Sequence, residues 1–216
     1  CVRAQQTGQF GGGRGTESRG QRDVIEAIHM KRWETFPNAV RQFLRGLDDQ
    51  IIFPERKLFR ALAIDLHGNS LIKYADQEID FSRPWKRYTM YEAIEKFTGI
   101  KIEGMDEAAL ATAAQKLDVH VDRSGGVGQI IDEIFSAKCE PQLIQPTFIT
   151  DYPDEMSPLA KKHRSKPGLV ARFEAICNGK ELCNAFSELN DPIDQRQRFE
   201  DQLKLKERGD EEAMAL

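Results

Sequence analysis

Arg172-Phe173-Glu174-Ala175-Ile176-Cys177-Asn178-Gly179-Lys180-Glu181-Leu182-Cys183-Asn184-Ala185-Phe186 decides the fold. Asn-Gly between two mostly apolar runs is a hairpin signal, because both residues tolerate the positive φ of a type I′ turn. A two-residue loop sets Cys177 against Lys180, Ile176 against Glu181 and Glu174 against Cys183. Side chains alternate along a strand, so Glu174, Ile176, Glu181 and Cys183 are expected on one face. Glu174 and Glu181 then lie diagonally, roughly 7–8 Å apart at the backbone. Two carboxylates so placed either face water, which is the commoner arrangement on spacing alone, or flank a cation. A hard ion such as Mg²⁺ takes oxygen ligands and keeps positions open for phosphates. Strict alternation sends Asn184, Phe186 and Glu188 to the face opposite Glu181. If they serve one pocket, a bulge or strong twist must lie near Leu182–Asn184.

Moving outward, Leu143 to Tyr152 reads as a buried strand and Leu169–Cys177 with Lys180–Phe186 as the hairpin. Lys161-Lys162-His163-Arg164, followed by Pro167-Gly168, reads as a mobile basic loop. Arg196 to Arg208 reads as a charged amphipathic helix covering one sheet face. Upstream, Lys57–Leu66 has helical apolar spacing, with His67 near its C-terminus. Leu71–Tyr74 and Glu78–Phe81 read as a small hairpin around Ala75-Asp76-Gln77. Thr89-Met90-Tyr91-Glu92 is a capping box opening a helix over Tyr91–Phe97, closed by Gly99. Asp106–Leu117 and Gly126–Ala137 are two further helices, the second with Ile130, Ile131, Ile134 and Phe135 on one face. Gly125-Gly126-Val127-Gly128 lacks the Lys-Ser/Thr of a phosphate loop and reads as a helix N-cap turn. The fold class is α+β, an antiparallel sheet with helices.

Phe148-Ile149-Thr150-Asp151-Tyr152-Pro153, Met156-Ser157-Pro158-Leu159-Ala160-Lys161-Lys162-His163-Arg164, the hairpin, and Ser187-Glu188-Leu189-Asn190-Asp191-Pro192 closely resemble class II lysyl-tRNA synthetases. The resemblance is collinear over about residues 57–216. It implies a partial class II catalytic core with a small helical insertion at about 104–140. It implies that Glu174 and Glu181 hold Mg²⁺ and orient ATP, that Asn184 and Phe186 line a lysine pocket, and that Glu188 meets the lysine ε-ammonium in a desolvated site. It further implies ATP, L-lysine and tRNA(Lys) as substrates, no protein nucleophile, a homodimer for the full-length protein and a cytoplasmic location. The rival expectations are a protein-lysylating paralogue and a non-catalytic truncated binding module. The intact Glu188-Leu189-Asn190-Asp191 favours tRNA charging.

The departures are also specific. No anticodon-binding barrel and no class motif 1, 2 or 3 is found, although Asp210-Glu211-Glu212 resembles the lead-in to the third. The chain is therefore expected to be an internal piece, inactive by itself. Residues 1–56 do not resemble the family and are expected to be disordered or frame-shifted. Gly8–Gly20 is Gly-rich, and short helices are expected at Arg22–Trp33 and Asn38–Leu47.

Composition limits the alternatives. The 216 residues carry 31 Lys and Arg against 35 Asp and Glu, a net charge of −4, which does not suit a free-standing nucleic-acid binder. No apolar run approaches the roughly 20 residues that span a bilayer. Cys1, Cys139, Cys177 and Cys183 form no CxxC pair and read as reduced thiols.

Overall fold

A computed structural model describes residues 54–210, except 123, together with 213. The expectations for residues 1–53 lie outside the described residues. Among the described residues, two units separate. One holds residues up to 85 with 144–146, and the other holds 86–143 and 147 onward.

In the first unit, α1 (Pro54–His67) precedes an antiparallel hairpin of β1 (Leu71–Tyr74) and β2 (Gln77–Asp80). The turn is Ala75-Asp76, with Ala75 at φ 50°, so Gln77 joins the second strand instead of the loop. Phe59, Leu62, Ala63, Ile79 and Phe81 form its buried set, and Trp85 packs on Phe59 and Phe81. The Gln145 side chain accepts from Asp80 N–H and donates to the Glu78 carbonyl, which ties residues 144–146 to β2. The expected strand from Leu143 therefore starts later, at Thr147, after Pro146, which has no N–H to give to a ladder.

The second unit carries β3 (Lys86–Thr89), α2 (Met90–Thr98), α3 (Glu107–Lys116), α4 (Gly126–Lys138), β4 (Thr147–Pro153), β5 (Leu169–Cys177), β6 (Lys180–Phe186) and α5 (Pro192–Glu207). The capping box is formed: Thr89 accepts from Glu92 N–H, Glu92 accepts from Thr89 N–H, and Gly99 closes the helix at φ 73°. Asp106 caps α3, and Gly125 occupies the N-cap of α4.

The strand order is β3-β4-β5-β6. β4, β5 and β6 are antiparallel as expected, but β3 joins β4 in parallel. The reason is topological, since α2, α3 and α4 intervene between β3 and β4, and a parallel pair needs such a crossover. Those helices put Met90, Ile94, Leu110, Ile130, Ile131, Ile134 and Phe135 against Ile149, Tyr152, Val170 and Ile176 of the sheet, which is the core.

Two further expectations are corrected. Helix α5 begins at Pro192, capped by the Asp191 carboxylate, and buries none of its residues. One face is half-buried as an amphipathic helix requires, through Gln195, Arg198, Phe199, Gln202 and Leu203, and polar contacts fasten it: Arg198 donates to the Ser157 and Ala160 carbonyls, and Gln195 to that of Pro158. The segment 160–163 is not a free loop. Lys161 N–H bonds to Ser187, Ala171 N–H to Lys161 and His163 N–H to Leu169. Lys166 and His163 both reach the Asp151 carboxylate, at 2.6 Å and 3.7 Å.

Candidate functional site

Asn178 and Gly179 both take positive φ, 51° and 64°, as the turn demands. Cys177↔Lys180 and Ile176↔Glu181 pair as expected, and then the register shifts by one. Ala175 pairs with Cys183 and Glu174 with Asn184, which leaves Leu182 as the extra, bulged residue. The expected Glu174–Cys183 pairing is thus replaced. One inserted residue turns Asn184 and Phe186 onto the face of Glu174 and Arg172. A second register shift, between β4 and β5, falls at Asp151, φ 56°. It brings Tyr152 to the same face as Ile149.

The result is a compact polar network. Glu174 and Asn184 are each 8% exposed. The Asn184 amide donates to Glu174 Oε1 at 3.0 Å, and Arg172 Nη2 donates to that same oxygen. Arg172 Nε donates to Asn184 Oδ1 at 3.2 Å, and Nη1 to Ser157 Oγ at 2.7 Å and the Met156 carbonyl at 3.2 Å. The guanidinium carbon sits 4.4 Å from the centroid of the Tyr152 ring. Among the described residues the buried Tyr152 hydroxyl meets no hydrogen-bond partner, and burial and then the Glu174 charge push its pKa well above the usual phenol value.

Two more carboxylates feel Glu174. Glu181 is pushed up to about 7 by its partial enclosure, then by the charge of Glu174; Arg172 pulls it down and Glu140 pushes it up. Glu140 is also pushed up to about 7, by burial and then by Asp132 and Glu174. Glu181 is exposed on its outer surface, where water screens part of this repulsion. A carboxyl with a raised folded pKa binds protons that the unfolded chain has released. The resulting stabilisation is complete below about pH 4.5 and is lost as pH rises through about 7. The expected result is that Glu140→Gln or Glu181→Gln flattens the fall in thermal midpoint between about pH 5 and about pH 8. Midpoints that decline equally in the variants and the unsubstituted chain would contradict this.

Phe186 is half-buried against the helical core, and Glu188 is exposed, its backbone bridged to Ala160. The described residues therefore do not themselves desolvate Glu188. The stretch around it acts as a splice: Leu189 N–H bonds to the Leu159 carbonyl and Lys161 Nζ to Asn190 Oδ1. Arg172 was not singled out as a site residue from sequence, although its position two residues before Glu174 on one strand puts both on one face. Glu140 carried no sequence signal; it arrives because the turn after α4 packs on Gly179. The thiols of Cys139 and Cys177 are buried and pushed up to about 12, chiefly by burial, and Cys139 Sγ donates to the Ala93 carbonyl; Cys183 is half-buried, and no disulfide joins these three among the described residues.

The donor set offered by Glu174 and Glu181 is oxygen only, which suits a hard divalent ion. Glu181's raised pKa comes first from partial enclosure and then from repulsion by Glu174, and such an ion would relieve that repulsion. Among the described residues no group of three or more His, Cys, Asp or Glu side chains gathers into a cage. An ion on these two glutamates would take its other ligands from substrate or water.

A family model for class II tRNA synthetases (D, K and N) matches residues 33–215. The chain is 57% identical to a lysine–tRNA ligase of Porphyromonas gingivalis over 164 residues, 76% of this chain and 28% of that protein. It is 52% identical over 160 residues to a lysine–tRNA ligase of Christiangramia forsetii, 74% of this chain and 28% of the relative. A lysine–tRNA ligase of Azobacteroides pseudotrichonymphae is 51% identical over 160 residues, covering 74% of this chain and 32% of its own length. The chain thus spans about a third or less of these relatives.

Proposed function

Since the chain belongs to the class II tRNA synthetases of the D, K and N group, we propose that it is part of a lysine–tRNA ligase. The whole protein would join L-lysine to ATP as lysyl-adenylate, releasing pyrophosphate, and then transfer lysine to tRNA(Lys) in the cytoplasm, as a homodimer. The observation that carries this reading is the bulge at Leu182. It gathers Glu174, Asn184 and Phe186 on one sheet face within the stretch that the class II synthetase family model matches.

In this reading Glu174 and Glu181 hold Mg²⁺ against the nucleotide. When bound, the ion supplies charge neutralisation for the phosphates. Asn184 fixes Glu174, and Phe186 provides apolar wall. Glu188 meets the lysine ammonium, and a buried carboxylate there rejects analogues lacking the amine because it would be left unpaired. Glu188 is exposed among the described residues, so segments outside them would have to cover it. No side chain acts as a nucleophile; catalysis comes from positioning and charge. The lysyl-type motifs run over about 57–216, with 104–140 as a helical insertion, while the family match reaches back to 33.

Lysine-dependent pyrophosphate–ATP exchange tests it. The complete protein containing this sequence is expected to exchange with lysine, and Glu181→Gln to abolish that exchange. The 216-residue chain alone is expected to show none, because it spans only 28% of the Porphyromonas gingivalis relative's length. Failure of the complete protein to activate lysine would sink the reading.

A further inference from the structure

We propose that Arg172 is the positioning residue of this site. With the Asn184 amide it holds Oε1 of Glu174, so that Oε2 is the oxygen presented to a divalent cation. The assignment rests on the metal reading of Glu174 and Glu181 above. Arg172 is not itself a ligand, since a guanidinium has no acceptor.

The geometry favours a built device over an incidental ion pair. Both network donors, Arg172 Nη2 and Asn184 Nδ2, fall on the same oxygen of Glu174. Arg172 is itself immobilised on three further sides. Nε is bound to Asn184 Oδ1, Nη1 to Ser157 Oγ and the Met156 carbonyl, and its flat face lies over Tyr152. Asn184 thus spends its oxygen on Arg172 and its nitrogen on Glu174, closing a three-membered ring of contacts. The Arg172 and Glu174 side chains are 16% and 11% exposed, so little water competes for these bonds. A carboxylate clamped at one oxygen loses the bidentate mode and keeps a defined rotamer, which is how outer partners orient a metal ligand. Lysine would keep the charge but has no planar fork to span Glu174, Asn184 and Ser157 together.

The alternative is that Arg172 merely balances a buried charge. A double-mutant cycle separates the two, with Mn²⁺ alone as probe, free Mn²⁺ read by electron paramagnetic resonance, and folding checked by circular dichroism. In the 216-residue chain, Arg172→Lys is expected to weaken Mn²⁺ binding about 10- to 100-fold. In a Glu174→Gln background the same change should alter binding less than about twofold, because the oxygen it orients is gone. Equal losses in both backgrounds, or unchanged Mn²⁺ binding by folded Arg172→Lys, would overturn the assignment alone. If the unsubstituted chain binds no Mn²⁺, the metal reading fails and this assignment fails with it.

Discussion

Glu174→Ala is expected to destabilise the second unit by about 3–5 kcal/mol, far more than loss of an exposed glutamate. The reason is what it leaves behind. Arg172 would keep its positive charge in a pocket walled by Tyr152, Ser157 and Asn184, without its carboxylate partner. Breaking one side of a buried pair costs more than the pair contributes, because the remaining charge stays desolvated. Glu174→Gln is expected to cost much less, since its amide oxygen can still accept from Arg172 and Asn184. Urea unfolding of both variants checks this. Similar midpoints for alanine and glutamine would mean that the Arg172 charge escapes to water. Against a typical total of about 5–15 kcal/mol, the alanine change removes a large part of the stability.

Phe135→Ala carries a comparable penalty by a different route. Phe135 is 2% exposed on α4, within the cluster that joins the helices to Ile149, Val170 and Ile176. Deleting its ring removes transfer free energy and leaves a cavity, about 3–5 kcal/mol together. Phe135→Leu fills most of that space and should cost less than about 2 kcal/mol. Thermal unfolding should show a drop of roughly 10 °C for alanine and a few degrees for leucine. A drop below about 3 °C for alanine would place Phe135 outside the load of the core.

What could be read from the sequence was whatever has local chemistry. Asn178-Gly179 announced a turn needing two positive φ values, and Thr89 with Glu92 announced a helix start; both follow from contacts within a few residues. The apolar stripe of Ile130, Ile131, Ile134 and Phe135 announced α4 for the same reason. The bulge had no such mark. Leu182 is an ordinary strand residue, and only the conflict between the faces of Glu181 and Asn184 pointed to it. The register shift opposite Asp151, where β5 carries the extra residue, and the parallel edge made by a crossover leave no local trace. Helix α5 was legible in part. Its charged amphipathic pattern suggested one covered face, which is half-buried through Phe199 and Leu203, but its fastening through Arg198 and Gln195 to carbonyls is something periodicity does not register. Arg172 was visible as a strand neighbour of Glu174, but its grip on Asn184 depends on the register shift at Leu182.

The parallel β3–β4 edge also sets an order of events in time. Its residues meet only after α2, α3 and α4 have been folded back between them, a costly loop closure. The β5–β6 hairpin closes over two residues, on the scale of about 1–10 μs. Glu174, Glu181 and Asn184 all belong to that local hairpin, so their register is fixed while the far edge of the sheet is still unmade. Amide protection in a refolding pulse should therefore rise first at 173–185 and last at 86–89. The chemistry-bearing ribbon becomes the template on which the remaining strands assemble.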